Sequence, residues 1–466
     1  MEIRDAVFKY CVYYPVVFLR REHAPSYLRE LMRTQWASPE SIRALQADKL
    51  SRIVAYAKSR VPYYEGRLGK VQESDLHSVD GIKALPFLTK EILRSEPRAL
   101  VSRESFLGCT KKTTSGSTGR SVTVWKTPDA MGQELAAAWR GFSWAGIDIG
   151  NRQGRFWGVP FATKDRAKAR LIDFVTHRKR CSAFGFNEEQ MQDYTRILNA
   201  FRPAYLYGYV SMLAAYGRFL EKTVTTLASP LRCIITTAEL LTSQQKRLLE
   251  SQFGCRVFNE YGCGEVGVIA SQCEAGSLHV NSENLLVEIL DGDRPCCAGE
   301  VGEIVVTELN NRAMPLIRYR LGDFAAFSEK PCSCGRGLPV IEQIMGRAYD
   351  LVYNRDGRMF HGEYFMYIFE EVKRRNLGVA AFQIVQLDYD SIRVKVQPEP
   401  TYGGETEALI RDRIRTMYSP TANVEFELVD GIKREPSGKM RLVVGMTNRP
   451  LVSPSAGRCP GPRTRI

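Results

Sequence analysis

Thr113-Thr114-Ser115-Gly116-Ser117-Thr118-Gly119-Arg120 is the stretch on which the reading of this 466-residue chain turns. Glycines let a backbone approach a ligand closely, and the amides and hydroxyls around them donate, so a run this dense in both suits phosphate oxygens. The β-branched segment Val122-Thr123-Val124-Trp125 follows directly, which sets the run beside a strand. The GxxxxGK[ST] spacing of strand-to-helix phosphate loops is missing. Composition by itself also fits a flexible surface loop of Ser, Thr and Gly, and the rest of the chain has to decide between the two.

With 44% hydrophobic and 25% charged residues the chain has the balance of a globular protein, and its length calls for at least two domains. A formal charge of +13 favours polyanionic partners: nucleotides, coenzyme A, acidic glycans or an anionic membrane face. Nucleic acid is not expected, because the basic residues are scattered apart from 166–170 and Arg178-Lys179-Arg180, and no nucleic-acid-binding motif has the required spacing. Twelve cysteines are too dilute for a disulfide scaffold, and no secretory signal precedes them, which places the protein in the reducing cytoplasm. The apolar run from Tyr10 to Leu19, flanked by Lys9 and Arg20-Arg21, is too short to span a bilayer, which takes about 20 apolar residues. Pro15 weakens it as a continuous helix. The segment either packs on the domain surface, the favoured reading, or lies peripherally on the inner face of the membrane.

Along the chain, apolar spacing predicts helix over residues 24–60, and from residue 188 helix and strand alternate. The helices are Glu188 to Ala200, Ser211 to Glu221 and Ser243 to Gln252; the strands are Ala204 to Tyr209, Cys233 to Thr236 and Arg256 to Asn259. Such alternation argues a parallel sheet covered by helices, with ligands at the carboxyl ends of its strands. Thr237-Ala238-Glu239 and Glu260 to Glu265 occupy those ends. Short strands at Leu285 to Leu290, Glu303 to Thr307 and Phe324 to Phe327 indicate a β subdomain on the same body. Beyond Asp350 come the strand faces Phe382, Ile384, Ile392, Val394 and Val396, a helix Glu405 to Met417 and a strand Val424 to Leu428, which make a compact α+β domain. Residues 447–466, rich in Pro, Gly, Ser and Arg, are expected to be disordered.

Six motifs then fall in one order: the loop Thr114 to Arg120, Tyr261-Gly262-Cys263-Gly264-Glu265, Gly302-Glu303, Arg318-Tyr319-Arg320-Leu321-Gly322-Asp323, Gly346-Arg347-Ala348-Tyr349-Asp350 and Pro436-Ser437-Gly438-Lys439. In that order the chain resembles the adenylate-forming enzyme superfamily from roughly residue 50 to residue 445, and looks most like the phenylacetate CoA ligase branch, including relatives associated with capsular polysaccharide synthesis. The resemblance implies an α/β fold: a large N-terminal adenylate-forming domain (1–349) with helix-covered sheets and the β subdomain, then a small mobile α+β C-terminal domain (350–446) hinged at Asp350. It also implies a two-step reaction, in which ATP and a carboxylic acid give an acyl adenylate and a thiol or amine then takes the acyl group.

By the same resemblance, Thr114, Ser115, Gly116, Ser117, Thr118 and Gly119 would cradle phosphates, with Arg120 where many relatives carry lysine. Glu265 would hold Mg²⁺, Asp323 would accept from the ribose hydroxyls with help from Arg347, and Tyr261 with Thr237, Ala238 and Glu239 would border the adenine. Lys439 would bridge the substrate carboxylate and the α-phosphate. Two departures weaken nucleotide contacts: Gly264 stands where many relatives have a hydroxyl residue, and Ser121 where proline is frequent. Cys332 and Cys334, with Cys273 and His279, could converge tetrahedrally on a structural Zn²⁺, an arrangement phenylacetate CoA ligase relatives often show; buried free cysteines are the alternative. An acyl pocket is expected around Tyr207, Gly208, Thr237 and Phe142 to Trp144. The acceptor is CoA on the leading reading. A glycan or amine acceptor in cell-surface polysaccharide synthesis is the second, and a non-catalytic nucleotide-binding partner, against which Glu265 and Lys439 argue, is the third.

Overall fold

Helix and strand alternate over residues 153–263 because apolar side chains recur there at both periods, and the product is a parallel sheet covered on both faces. The computed structural model describes residues 3–69, 71–114, 122–157, 166–182, 188–347, 352–355, 359–360, 365, 368–369, 371–373, 375–433 and 441–446. A hairpin of β1 (Thr110–Thr114) and β2 (Val122–Lys126) comes first, so the Ser/Thr/Gly run connects two antiparallel strands. The parallel strands are β3 (Gln153–Trp157), β4 (Arg178–Ser182), β5 (Tyr205–Tyr209), β6 (Cys233–Thr237) and β7 (Arg256–Cys263), in spatial order β4-β3-β5-β6-β7. Leu206, Ile234 and Val257 point into one layer with the helices Val210–Lys222 and Ser243–Phe253. Tyr207, Ile235 and Phe258 point into the other, beneath Phe142 of the helix Pro128–Trp144.

β7 is longer than the expected strand and turns back into β8 (Gly267–Gln272), where the sheet changes from parallel to antiparallel. β9 (Leu278–Val280), β10 (Leu285–Asp291), β11 (Arg294–Pro295), β12 (Gly302–Glu308), β13 (Tyr319–Phe327) and β14 (Val340–Arg347) complete it. The expected β subdomain is therefore the antiparallel half of one twelve-stranded sheet, because β8 and β9 bridge β7 to β14. A separate C-terminal domain holds its own core around Ile384, Val394 and Ile410. Its four-stranded sheet comprises β17 (Val379–Asp388), β18 (Ser391–Pro398), β19 (Asn423–Leu428) and β20 (Val443–Val444), after a small hairpin of β15 (Val352–Tyr353) and β16 (Met359–Phe360).

Two local expectations change. Residues 24–60 form two helices, Ala24–Thr34 and Pro39–Arg60, because Ser38 caps the second by accepting from the Ser41 amide and Pro39 occupies its first turn. Pro15 does not break the N-terminal segment: it lies in the first turn of the helix Tyr14–Leu19, directly after a π-helical run Lys9–Tyr13. That segment packs on the domain surface through Tyr13 and Val17 beside Ile149 and Trp139, with Tyr13 accepting from the Trp139 indole at 2.8 Å. No helix among the described residues is long and apolar enough to cross a membrane.

The hairpin below the Ser/Thr/Gly run is fastened to the core by charge. Lys112 donates to Glu134 at 2.6 Å, and fully buried Lys126 lies between Glu308 (2.5 Å) and Glu134 (3.8 Å). Gly267, at φ +82°, is required beside this cluster, since a Cβ there would come within 2.3 Å of the Glu134 carboxyl carbon.

A second buried pair joins the helices Ala24–Thr34 and Pro128–Trp144 to the segment before β10. Arg140, with no exposed surface, forks onto Glu283 at 2.6 and 3.0 Å and also donates to Asn281 and to the Leu31 carbonyl. Burial alone would raise the Glu283 pKa, but Arg140 outweighs it and holds the carboxyl below the usual carboxylate range. Glu283→Gln, which leaves Arg140 buried and unpaired, is expected to cost about 3–5 kcal/mol in denaturant unfolding. Because the folded-state pKa is depressed, the pair's contribution is present above the ordinary carboxyl pKa of about 4.3 and lost as pH falls through the lower folded value. An unfolding curve in which Glu283→Gln matches wild type at neutral pH would contradict this.

Candidate functional site

β7 delivers most of the site. Strand alternation turns Tyr261 to one face of the sheet and Glu260 to the other, and the β7–β8 turn carries Glu265. On its face, Tyr261 donates its hydroxyl to Asp323 Oδ2 at 2.7 Å. Asp323 lies opposite Arg347 across the β13–β14 ladder, so these two expected partners occupy facing positions. Glu265 is buried, and the Tyr319 hydroxyl donates to its Oε1 at 3.3 Å. Burial first, and then the charges of Glu265 and Asp323, push the Cys263 thiol up, so Cys263 stays neutral beside the carboxylates while Lys90 acts in the opposite sense. Four expected or adjacent groups, Tyr261, Asp323, Glu265 and Tyr319, are thus brought together.

Thr237 ends β6 and is buried, and Ala238 takes φ +68°, a left-handed conformation unusual for a residue with a Cβ. Glu239 spends its carboxylate on the start of the helix Val210–Lys222, accepting from the Ser211 amide at 2.6 Å and hydroxyl at 3.0 Å. Thr114 closes β1 opposite Val122. Ser115, Gly116, Ser117, Thr118, Gly119, Arg120, Asp350 and Lys439 lie outside the described residues.

On the other face, Tyr207 donates to the buried Glu260 carboxylate at 2.7 Å, and Phe142 packs 5.6 Å from the Tyr207 ring. Gly208 falls on the opposite face, close against the Phe156 backbone, where a Cβ would meet the Phe156 carbonyl oxygen at 2.3 Å. Trp144 also departs from the expected pocket. Two residues along a helix from Phe142 it faces elsewhere, donates to Gln35 at 2.8 Å and packs edge-on 5.8 Å from the His279 ring. Lys90, Arg155 and Trp157 were not singled out from sequence, and Glu260 and Tyr319 stood there only within quoted stretches, without a role of their own. A carboxylate inside the buried strand sequence Val257-Phe258-Asn259-Glu260 is the signal that marks Glu260.

Trp144 covers a cluster of Cys273, His279, Cys332 and Cys334, whose ligand atoms all lie within 4.8 Å of one another. Cys273 Sγ and Cys332 Sγ are 3.7 Å apart, and Cys334 Sγ is 3.2 Å from His279 Nε2. His279 Nδ1 lies 3.0 Å from the Leu338 carbonyl, which can only accept. Nδ1 therefore carries the proton, and the Nε2 lone pair faces the thiols. Three sulfurs and one imidazole nitrogen with an oriented ring are a donor set that fits Zn²⁺ with no position left open.

Residues 352–445 match the family model described as the CapK C-terminal domain. Protein CapK of Staphylococcus aureus is 23% identical over 435 residues, covering 92% of this chain and 94% of the relative. Phenylacetate-coenzyme A ligase of Thermus thermophilus is 26% identical over 335 residues, 68% of this chain and 72% of the relative. Among solved structures, 2-hydroxyisobutyryl-CoA ligase in the postadenylation state, in complex with R3-HIB-AMP, superposes with a TM-score of 0.68 at 19% identity, covering 86% of this chain and 89% of that one. At that identity the likeness speaks for the fold. The relatives of this chain are thus CapK and the phenylacetate-coenzyme A ligases, and its architecture is that of the adenylate-forming ligases.

Proposed function

We propose that the chain activates a carboxylic acid with ATP as an acyl adenylate, releasing pyrophosphate, and passes the acyl group to an acceptor, with the thiol of coenzyme A as the leading candidate. The observation that carries this reading is the convergence of Tyr261, Asp323, Glu265 and Tyr319 where the parallel half of the sheet ends. Open α/β sheets bind ligands at that edge. The phosphate-rich end of ATP belongs by the hairpin of β1 and β2, and the ribose by Asp323, whose carboxylate Tyr261 orients. Ala238 and Tyr261 flank the place left for the base.

In the first step a carboxylate oxygen bonds to the α-phosphorus and the bond to the pyrophosphate oxygen breaks. Two anions must meet, so the work of the chain's residues is electrostatic and positional. Tyr319 fixes the Glu265 carboxylate, which suits one of the few protein ligands of a magnesium ion. When bound, that ion would offset phosphate charge and help the pyrophosphate leave. Lys439 is assigned to the substrate carboxylate and α-phosphate, a compact cation between two anions. We place the boundary of the two domains near residue 350, with Asp350 as the hinge, so that the second domain can exchange the adenylation face for the acceptor face. A glycan or amine acceptor is the second reading, favoured by the match of residues 352–445 to the CapK C-terminal domain.

With a suitable acid, the protein should exchange labelled pyrophosphate into ATP in a magnesium-dependent manner. Glu265→Gln should slow exchange by about 10²–10³-fold, the scale of one preorganised charged group, and Lys439→Ala should do the same while sparing acyl transfer from a supplied adenylate. Normal exchange in either variant would remove that residue from the mechanism. Tight ATP binding without exchange across a broad acid panel would favour the non-catalytic reading.

We assign Cys273, His279, Cys332 and Cys334 to a structural zinc ion. Elemental analysis should find about one zinc per chain, and a chelator should lower the unfolding temperature, since a closed four-ligand site contributes folding energy. Cys332→Ser should lose the metal and destabilise the fold; full stability of metal-free protein would contradict the assignment.

A further inference from the structure

Arg155, on the Tyr207 face of the parallel sheet, has aromatic neighbours and no ion pair among the described residues. It sits on β3, level with Tyr207 on β5 and Arg180 on β4. Its guanidinium lies 4.4 Å from the Trp157 ring centre and 4.8 Å from that of Tyr207, and those two rings stack at 5.8 Å. Among the described residues the Arg155 guanidinium makes no hydrogen bond and no ion pair, although it is only partly exposed. The neighbouring Arg178 and Arg180 share Asp173 at 2.7 and 2.6 Å. The Glu260 carboxylate is held by the Tyr207 hydroxyl, and Arg155 acts on it through the field.

A guanidinium carries five N–H donors, and packing it against aromatic rings satisfies none of them, which leaves the fork open to an acceptor that arrives from solvent. Arg178 adds a second positive charge close by, so the acceptor that suits this place is an anion. Two strand spacings, about 10 Å in all, separate β3 from β6, which ends at Thr237 on the Tyr207 face of the sheet. A molecule reaching from one to the other along the Tyr207 and Trp157 rings would carry a charged group at each end.

Resting on the ligase reading above, we propose that Arg155 reads a second anionic group on the acid substrate, at the end remote from the reacting carboxylate. The preferred acids are then dicarboxylates, or acids with an equivalent distal anion, long enough to span the aromatic floor. A fork of two parallel N–H donors fits a carboxylate in one plane, which lysine cannot reproduce.

The test compares straight-chain and aryl dicarboxylates with monocarboxylates of the same carbon number, in pyrophosphate exchange and in calorimetric binding beside a non-hydrolysable ATP analogue. Wild type should favour the best diacid by at least about 100-fold in kcat/KM, because a site built around a polar group rejects the analogue that lacks it. Arg155→Leu should bring that ratio towards one, chiefly through KM, and Arg155→Lys should recover part of it; ATP-analogue binding shows that both variants are folded. Equal use of monoacids and diacids by wild type, or an Arg155→Leu ratio like wild type, would overturn the proposal. The binding arm separates it from the ligase reading: diacid binding that depends on Arg155 without exchange keeps the site and removes the ligase reading. Failure of every diacid to bind removes the site.

Discussion

Strand β7 is the constraint on which the site depends. It is the last parallel strand and the first antiparallel one, pairing with β6 on one side and turning back into β8 on the other. The period of two in a strand then fixes two environments at once. Tyr261 faces Asp323, Glu260 faces Tyr207, and the turn that ends the strand carries Glu265. A register slip of one residue would exchange the two faces and dismantle both. Buried charge pairs keep the surroundings in place: Lys126 with Glu308 and Glu134 holds the β1–β2 hairpin, and Arg140 with Glu283 holds the helices over the sheet. Pairs of this kind are costly to break singly, so they fix geometry more than they add net stability.

Much of this was legible where the relevant residues are close in sequence. The strands at residues 205–209 and 233–237 and the helices after them follow from apolar runs and periodic stripes. The Cys332-Ser333-Cys334 turn with Cys273 and His279 was legible as a ligand set, and the pairing of β9 with β14 and of β9 with β8 brings its members together. Contacts between distant segments were not legible. Lys126 meets Glu308 across 182 positions, and nothing local marks either as a partner. The pairing of Arg155 with Tyr207 depends on the register between β3 and β5, which no single stretch encodes.

Trp144 illustrates the same limit within a helix. Its neighbour Phe142 does join Tyr207, but the helical turn of 100° per residue carries Trp144 away to cover the cysteine cluster. Gly208 fails as a pocket residue for the corresponding reason in a strand, since it alternates away from Tyr207. At the beginning of the chain the packing of Tyr13 and Val17 on the domain surface was legible, but the helix through Pro15 was not, since proline is accommodated in the first turn after the π run.

The central claim is that a carboxylate oxygen attacks the α-phosphorus of ATP. The most direct measurement supplies an acid labelled with oxygen-18 in its carboxyl group, lets the reaction run to acyl transfer and reads the products by mass spectrometry. In an acyl adenylate the bridging oxygen comes from the acid, and attack of the acceptor at the carbonyl carbon leaves that oxygen on AMP. The account predicts AMP carrying one labelled oxygen and pyrophosphate carrying none. Label in orthophosphate with ADP as the other product, or unlabelled AMP, would contradict it.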